Sequence, residues 1–293
     1  MNKFFSSAVI IFLIATCFII YYQLRNDHVI SQSNNPNRLE QVLESGKLRV
    51  SYIVFPPYIT RDSSSGKLGG VFYDFVNELG NNLSLEVEWT EEINIGNLSA
   101  GFKSNRYDLV ATPLWRNASR AKQVDFSIPL FYSSVAAYVR NGDTRFDNNL
   151  SAINSPDVTI AAIDGELAGE IAKISYPLAK LDSKPQIVDY SQLLLEVASG
   201  KADITFYNEL FGNRYMAKNS GKIQKVKTEY PIRLFAETFL LPNGEYEFSS
   251  TINAALNELL ENGSLERAFL NNGLDPKEYH LRAKPYQEPK LEG

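Results

Sequence analysis

The chain has 293 residues, 44% of them apolar and 22% charged, as expected for a globular protein large enough for two lobes with a sizeable core. Its net charge of -5 leaves no basic footprint for nucleic acid. The single cysteine, Cys17, lies in an apolar N-terminal run, so the rest of the chain has no thiol, disulfide or cysteine-based metal site.

Residues 4–22, FFSSAVIIFLIATCFIIYY, come after Lys3 as a nearly unbroken apolar run. As a helix, at about 1.5 Å per residue, it just spans a bilayer core. Three readings are open. A cleaved signal peptide wants a small-residue site after its core, and Gln23-Leu24-Arg25 offers none. A lipoprotein wants a small residue before Cys17, where Thr16 stands. An uncleaved anchor fits best, and all three export the rest of the chain. Residues 23–37, rich in Asn and Ser, read as a tether, so 1–37 is anchor or signal plus tether.

Leu39, Val42 and Leu43 mark a short amphipathic helix stopped at Gly46. Leu48 to Val54 reads as a strand ending in Phe55-Pro56-Pro57-Tyr58. The prolines stiffen this loop and aim Tyr58 into a cleft, with Phe55 left for the core; the alternative is that both rings are core aromatics. Gly66 to Gly70 reads as a turn and Val71 to Leu79 as a helix, whose Asp74 supports structure. Leu85 to Trp89 alternates as a strand, and a helix is expected around Leu98 to Ser104.

The stretch YDLVATPLWRNASRAKQVDFS, Tyr107 to Ser127, organises the rest. It begins as a strand at Leu109-Val110-Ala111, is expected to break at Pro113, and restarts as a helix capped by Asn117. Arg120 falls in the first turn of that helix. Either Asn117 simply caps and Arg120 lies solvated on a surface helix, or a strand end, free helix N–H groups and a guanidinium converge as an anion site. On the second reading Arg120 is exposed until it grips a carboxylate, so its loss weakens binding and not stability, and Arg116 faces solvent.

Ser133 to Val139 reads as a long strand, and the polar segment 141–157 as a lobe boundary. Val158 to Ile163 has the continuous apolar character of a buried parallel strand. Asp164-Gly165-Glu166 then opens a helix, with Glu166 either a capping acid or a ligand contact. Ile187-Val188, a helix from Ser191 and the strand Asp203 to Phe206 complete a β-α-β pattern, with Asn208 and Glu209 just beyond it. Thr238 to Leu241 is the returning strand. Two amphipathic helices come next, through Ile252 to Leu259 and from Leu265, and then a fraying tail after His280. Nucleophile-elbow, zincin, P-loop and dinucleotide motifs are absent, and His28 and His280 lie in tether and tail.

The central stretch resembles the D-hydrophobic-x-A-G-x-(S/T)-x-T-x-E-R-x-x-x-x-D-F-S segment of type II periplasmic solute-binding proteins, family 3. Asp108, Asn117, Arg120 and Asp125-Phe126-Ser127 fall in register. The likeness runs from about Leu39 to Asn272 and includes GKLRVSYIVFPPY, GKLGGVFYDFVNELG, VTIAAIDGELAGEIAK, YSQLLLEVASGKADITFYNEL and INAALNELLENGSLERAFL. It implies an α/β, two-lobed fold of mixed, mostly parallel sheets joined by a two-strand hinge. Lobe 1 would take residues 38–136 plus 237–280, lobe 2 residues 137–236, and 281–293 a flexible tail.

The resemblance implies a protein that captures an amino acid or similar small carboxylate at the outer face of the cytoplasmic membrane. It would be a monomer that delivers the solute to an ATP-binding-cassette permease, without cofactor, metal or catalytic residue. The ligand-binding residues would be Arg120, Tyr58, Trp115, Asn117, Glu166 and Asn208. A membrane-tethered sensor and a prephenate- or arogenate-type dehydratase are the alternatives. Pro113 replaces the family's Gly, Trp115 its Ser or Thr, and Asn208 the Asp that meets an ammonium. Either the ligand lacks an α-amine, or Glu166 or Glu209 substitutes for that Asp.

Overall fold

The computed structural model describes residues 16–18, 20–21, 36–275 and 279–281. Most of the apolar run 4–22, the tether up to residue 35 and the tail from residue 282 therefore lie outside the described residues. Among the described residues no helix is long and apolar enough to cross a membrane.

Thirteen strands are described: β1 (Lys47–Tyr52), β2 (Thr60–Arg61), β3 (Leu68–Gly69), β4 (Glu86–Glu92), β5 (Leu109–Trp115), β6 (Asp125–Phe126), β7 (Phe131–Arg140), β8 (Thr159–Ile163), β9 (Lys180–Lys184), β10 (Ile204–Asn208), β11 (Ile223–Lys225), β12 (Arg233–Leu241) and β13 (His280–Leu281). The path β4-β1-β5-β12-β7-β10-β8-β9 is hydrogen-bonded throughout, with β6 on β12 and β11 and β13 on β7. β4, β1 and β5 run parallel, as do β10, β8 and β9. The long strands β7 and β12 pair antiparallel between these two sets. The sheet is thus mixed, parallel at both ends and antiparallel where the chain crosses between its halves.

Each half has its own core. Leu48, Val50, Phe72, Phe75, Leu109, Phe131, Phe239 and Phe269 pack the first. Val135, Tyr138, Ile160, Ile163, Leu194 and Phe206 pack the second. Leu98, Phe102, Tyr107, Val110 and Leu240 form a smaller cluster. Helices Val71–Asn82, Tyr246–Glu261 and Ser264–Asn271 bury their apolar stripes in the first core, and Leu167–Ser175 and Ser191–Ser199 theirs in the second. Asn37 closes a capping box on the Arg38–Ser45 helix, and Gly46, at φ 66°, stops it as expected. Asp74 accepts from Asn272 Nδ2 at 2.8 Å, a structural tie between two helices.

Three sequence expectations are corrected. β5 does not break at Pro113 but runs through to Trp115. Its pairing with β1 is recorded only at Leu109 and Val110, and the Thr112 hydroxyl then bonds Ile53 N–H and C=O, both at 2.8 Å. On the β12 side the register shifts between Thr238 and Leu240, leaving Pro113 where no ladder donor is needed. The helix expected at Asn117 is a single 3₁₀ turn, Arg120–Lys122, because the chain must reach β6 at Asp125. Finally, Ile187 and Val188 lie in a turn, with Ile187 93% exposed, and the strand is the polar edge segment Lys180–Lys184.

A cleft whose arginine is already occupied

A cavity of about 680 Å³ lies between the two cores. Residues from the end of β1, including Phe55 and Tyr58, and from the end of β5, including Trp115, form one wall. Glu166, Tyr190, Phe206, Tyr207 and Phe211 come from the other half, while Ser133 and Glu237 enter from the crossing strands. Aromatic rings dominate, as in many small-molecule sites. Phe55 and Phe211 meet across the cleft with ring centroids 4.5 Å apart.

Arg120 stands at the end of the β5 loop. Asn117 Oδ1 accepts from its backbone N–H at 2.7 Å, so Asn117 caps the turn as its residue type suggests. One turn carries no helix dipole, however, so the convergence of helix N–H groups expected here does not form. Neither Asn117 nor Arg120, both expected to contact the ligand, is part of the cavity wall, which Trp115 and Glu166 line in front of the guanidinium.

The guanidinium is not waiting in solvent. Its Nη1 donates to Trp115 O at 2.8 Å, its Nη2 to Glu166 Oε1 at 2.5 Å, and its carbon lies 5.1 Å from the Trp115 ring centre. Trp115 Nε1 donates to Glu166 Oε2 at 3.3 Å. Arg120 is 8% and Glu166 2% exposed. The expected exposed arginine is thereby corrected, because a carboxylate from the other half already satisfies it. Glu166 precedes the Leu167–Ser175 helix but makes no capping bond, its carboxylate being committed to Arg120 and Trp115. Burial, with the Glu166 charge second, raises the Tyr190 hydroxyl well above its ordinary pKa. Arg116, as expected, is exposed.

Tyr58 borders the cavity but is core-buried among Phe72, Phe131 and Phe211, and its hydroxyl has no partner. Burial, foremost, raises that hydroxyl's pKa. Phe55, expected in the core, is the half-buried ring on the cavity wall. Asn208 also lines the cavity, with its Oδ1 accepting from Leu210 and Phe211 N–H at 3.1 and 3.5 Å to cap the Glu209–Lys218 helix. Glu209 turns away to Ser134 and Lys225.

Sequence reasoning passed over four charged residues of the wall, among them Asp189, whose Oδ1 accepts from Ser191 N–H at 2.8 Å. Glu237 on β12 is buried, and burial pushes its carboxyl up to about 7 against the opposing pull of the Ser133 hydroxyl and the Arg120 charge. Arg214 and Lys218 stand four residues apart on the Glu209–Lys218 helix. Arg214 is half-buried and makes no hydrogen bond or ion pair among the described residues. Its spacing from Lys218 was a visible signal, on a helix that sequence periodicity did not reveal.

Comparison with known proteins gives the context. The family model of bacterial extracellular solute-binding proteins, family 3, matches residues 48–271. The cyclohexadienyl dehydratase of Pseudomonas aeruginosa is 26% identical over 224 residues, covering 71% of this chain and 76% of that protein. The membrane-bound lytic murein transglycosylase F of Salmonella paratyphi B is 27% identical over 82% of this chain, which spans only 46% of that protein. Two solved structures share the fold. An ancestral amino acid-binding protein, described as a precursor of cyclohexadienyl dehydratase, superposes with a TM-score of 0.65 at 21% identity, covering 80% of this chain and 99% of that one. An amino acid ABC transporter substrate-binding protein from Streptococcus pneumoniae, bound to L-arginine, gives 0.64 at 18% identity, covering 80% and 97%.

Proposed function

This chain belongs to the bacterial extracellular solute-binding proteins, family 3, and from that membership we propose that it captures an amino acid or similar small carboxylate and delivers it to an ATP-binding-cassette permease. The observation that carries this reading is the cavity of about 680 Å³ walled by both halves and by the crossing strands. Its aromatic walls suit an apolar side chain. Arg214 offers an unpaired cation for a carboxylate, and Glu237 and Asp189 offer acceptors for an ammonium. The solved relatives bound to or named for amino acids point the same way. On this reading residues 38–136 plus 237–280 and residues 137–236 are the lobes, β7 and β12 the hinge, and residues 4–22 the segment that exports the chain or anchors it at the outer face of the cytoplasmic membrane.

A thermal-shift panel of amino acids, organic acids and short peptides tests the proposal. A solute at 100 times its dissociation constant adds about 2.7 kcal/mol of stability. A panel in which nothing shifts the transition rejects the reading.

One observation favours a second reading. Glu237 is a buried carboxyl on an apolar cavity wall whose pKa is pushed up to about 7, suited to proton donation near neutrality. A dehydratase of the prephenate or arogenate type would use such a group. Turnover of prephenate or arogenate by the purified chain decides between the two readings.

A further inference from the structure

The carboxylate of Glu166 is held as a bound solute's carboxylate would be. One oxygen takes Arg120 Nη2 at 2.5 Å and the other takes Trp115 Nε1 at 3.3 Å. Both donors belong to the first half of the fold, and the acceptor belongs to the second. The other arm of the fork is fixed on Trp115 O at 2.8 Å, so the guanidinium is oriented by its own half. Cavity-lining Glu166 is thus the one carboxylate on this arginine among the described residues.

We infer that Glu166 is a tethered internal anion, which fills the carboxylate seat made by Arg120 and Trp115, draws the two halves together without solute, and bars a free carboxylate from that seat. The inference deepens the solute-binding reading and rests on it for the meaning of the seat. A tethered group acts at an effective concentration that free solutes at ordinary levels do not match. A solute carboxylate is then left with the unpaired cations of the Glu209–Lys218 helix, Arg214 and Lys218. Glu166 in this way sets specificity: it removes the one strong anion position that does not depend on the Glu209–Lys218 helix.

The test needs no solute. Replacing Glu166 with alanine deletes almost the atoms of one acetate ion. The full chain and its Glu166→Ala variant are melted in sodium acetate and in sodium chloride at matched ionic strength. Glu166→Ala is expected to melt several degrees below the parent, and acetate at tens of millimolar to restore part of that loss in a saturable way. The parent, and the double variant with Arg120→Ala, are expected to treat acetate and chloride alike. Equal effects of the two salts on Glu166→Ala, or an acetate response that survives in the double variant, overturn the inference.

If Glu166→Ala does not fold, small-angle scattering of Glu166→Gln decides. Loss of the charge is expected to loosen closure and enlarge the radius of gyration of the solute-free chain, and an unchanged radius overturns the inference. A solute panel without hits rejects the solute-capture reading and leaves the acetate result standing. An acetate-blind Glu166→Ala rejects this inference even where a solute binds.

Discussion

Ser133 Oγ donates to Glu237 Oε1 at 2.5 Å, joining the two crossing strands where both border the cavity. Glu237 is buried, and burial outweighs this bond, so its carboxyl titrates near 7 rather than 4.5. Below about pH 4.5 folded and unfolded chains both carry the proton. As pH rises from there the unfolded chain loses its proton first, so this residue's contribution falls and levels off above about 7. A shift of that size is worth roughly 3 kcal/mol. Glu237→Gln, which keeps a neutral group, is expected to match the parent near pH 4 and to exceed it by up to about 3 kcal/mol at pH 8. Urea unfolding at the two pH values checks this, and parallel curves for parent and variant contradict it.

Arg120→Ala is expected to cost about 3–5 kcal/mol of stability without any solute, because it strands Glu166 as a buried unpaired charge. Arg116→Ala, on an exposed side chain of the same loop, is expected to stay within about 0.5 kcal/mol of the parent. Denaturant midpoints of the two variants make the comparison.

Asp108, 0% exposed, holds Arg38 at 2.9 Å and Arg49 at 2.7 Å and so ties the Arg38–Ser45 helix to β1 and β5. Asp108→Asn leaves two cations facing each other around a neutral group. A loss of about 3–5 kcal/mol is expected. Calorimetry reads the loss, and titration of the best solute is expected to show affinity unchanged, since Asp108 is absent from the cavity wall.

Arg214→Ala is expected to weaken the best solute of the panel by about 2–5 kcal/mol if that solute carries a carboxylate. With no partner lost, stability is expected to move by less than about 0.5 kcal/mol. Isothermal titration against parent and variant measures the difference, and equal affinities would assign the carboxylate elsewhere.

Much of this architecture was legible in the residues. Apolar runs such as Val158 to Ile163 and stripes such as Ile252, Ala255, Leu256 and Leu259 mark buried strands and helix faces, and all are buried but for half-exposed Thr159 at the strand start. Local periodicity failed where an element is polar, as in Lys180–Lys184, whose strand character comes from pairing with β8. It failed at Pro113 because the tolerance there depends on a register shift in a strand more than a hundred residues later. The site was harder. Asn117 shows its cap locally, but the partner of Arg120 lies 46 residues away across the cleft, and no spacing rule announces it. Glu237 looks like an ordinary strand residue until the other core closes over it.

Phe55 and Phe211, in contact between the two halves, add an apolar clasp to the polar one. A solute whose contacts lie behind both clasps reaches them only when they part. Entry of a solute is then paced by an internal opening step and not by collision. The observed association rate should rise with solute concentration and then reach a plateau, and that plateau value is the opening rate of the empty protein.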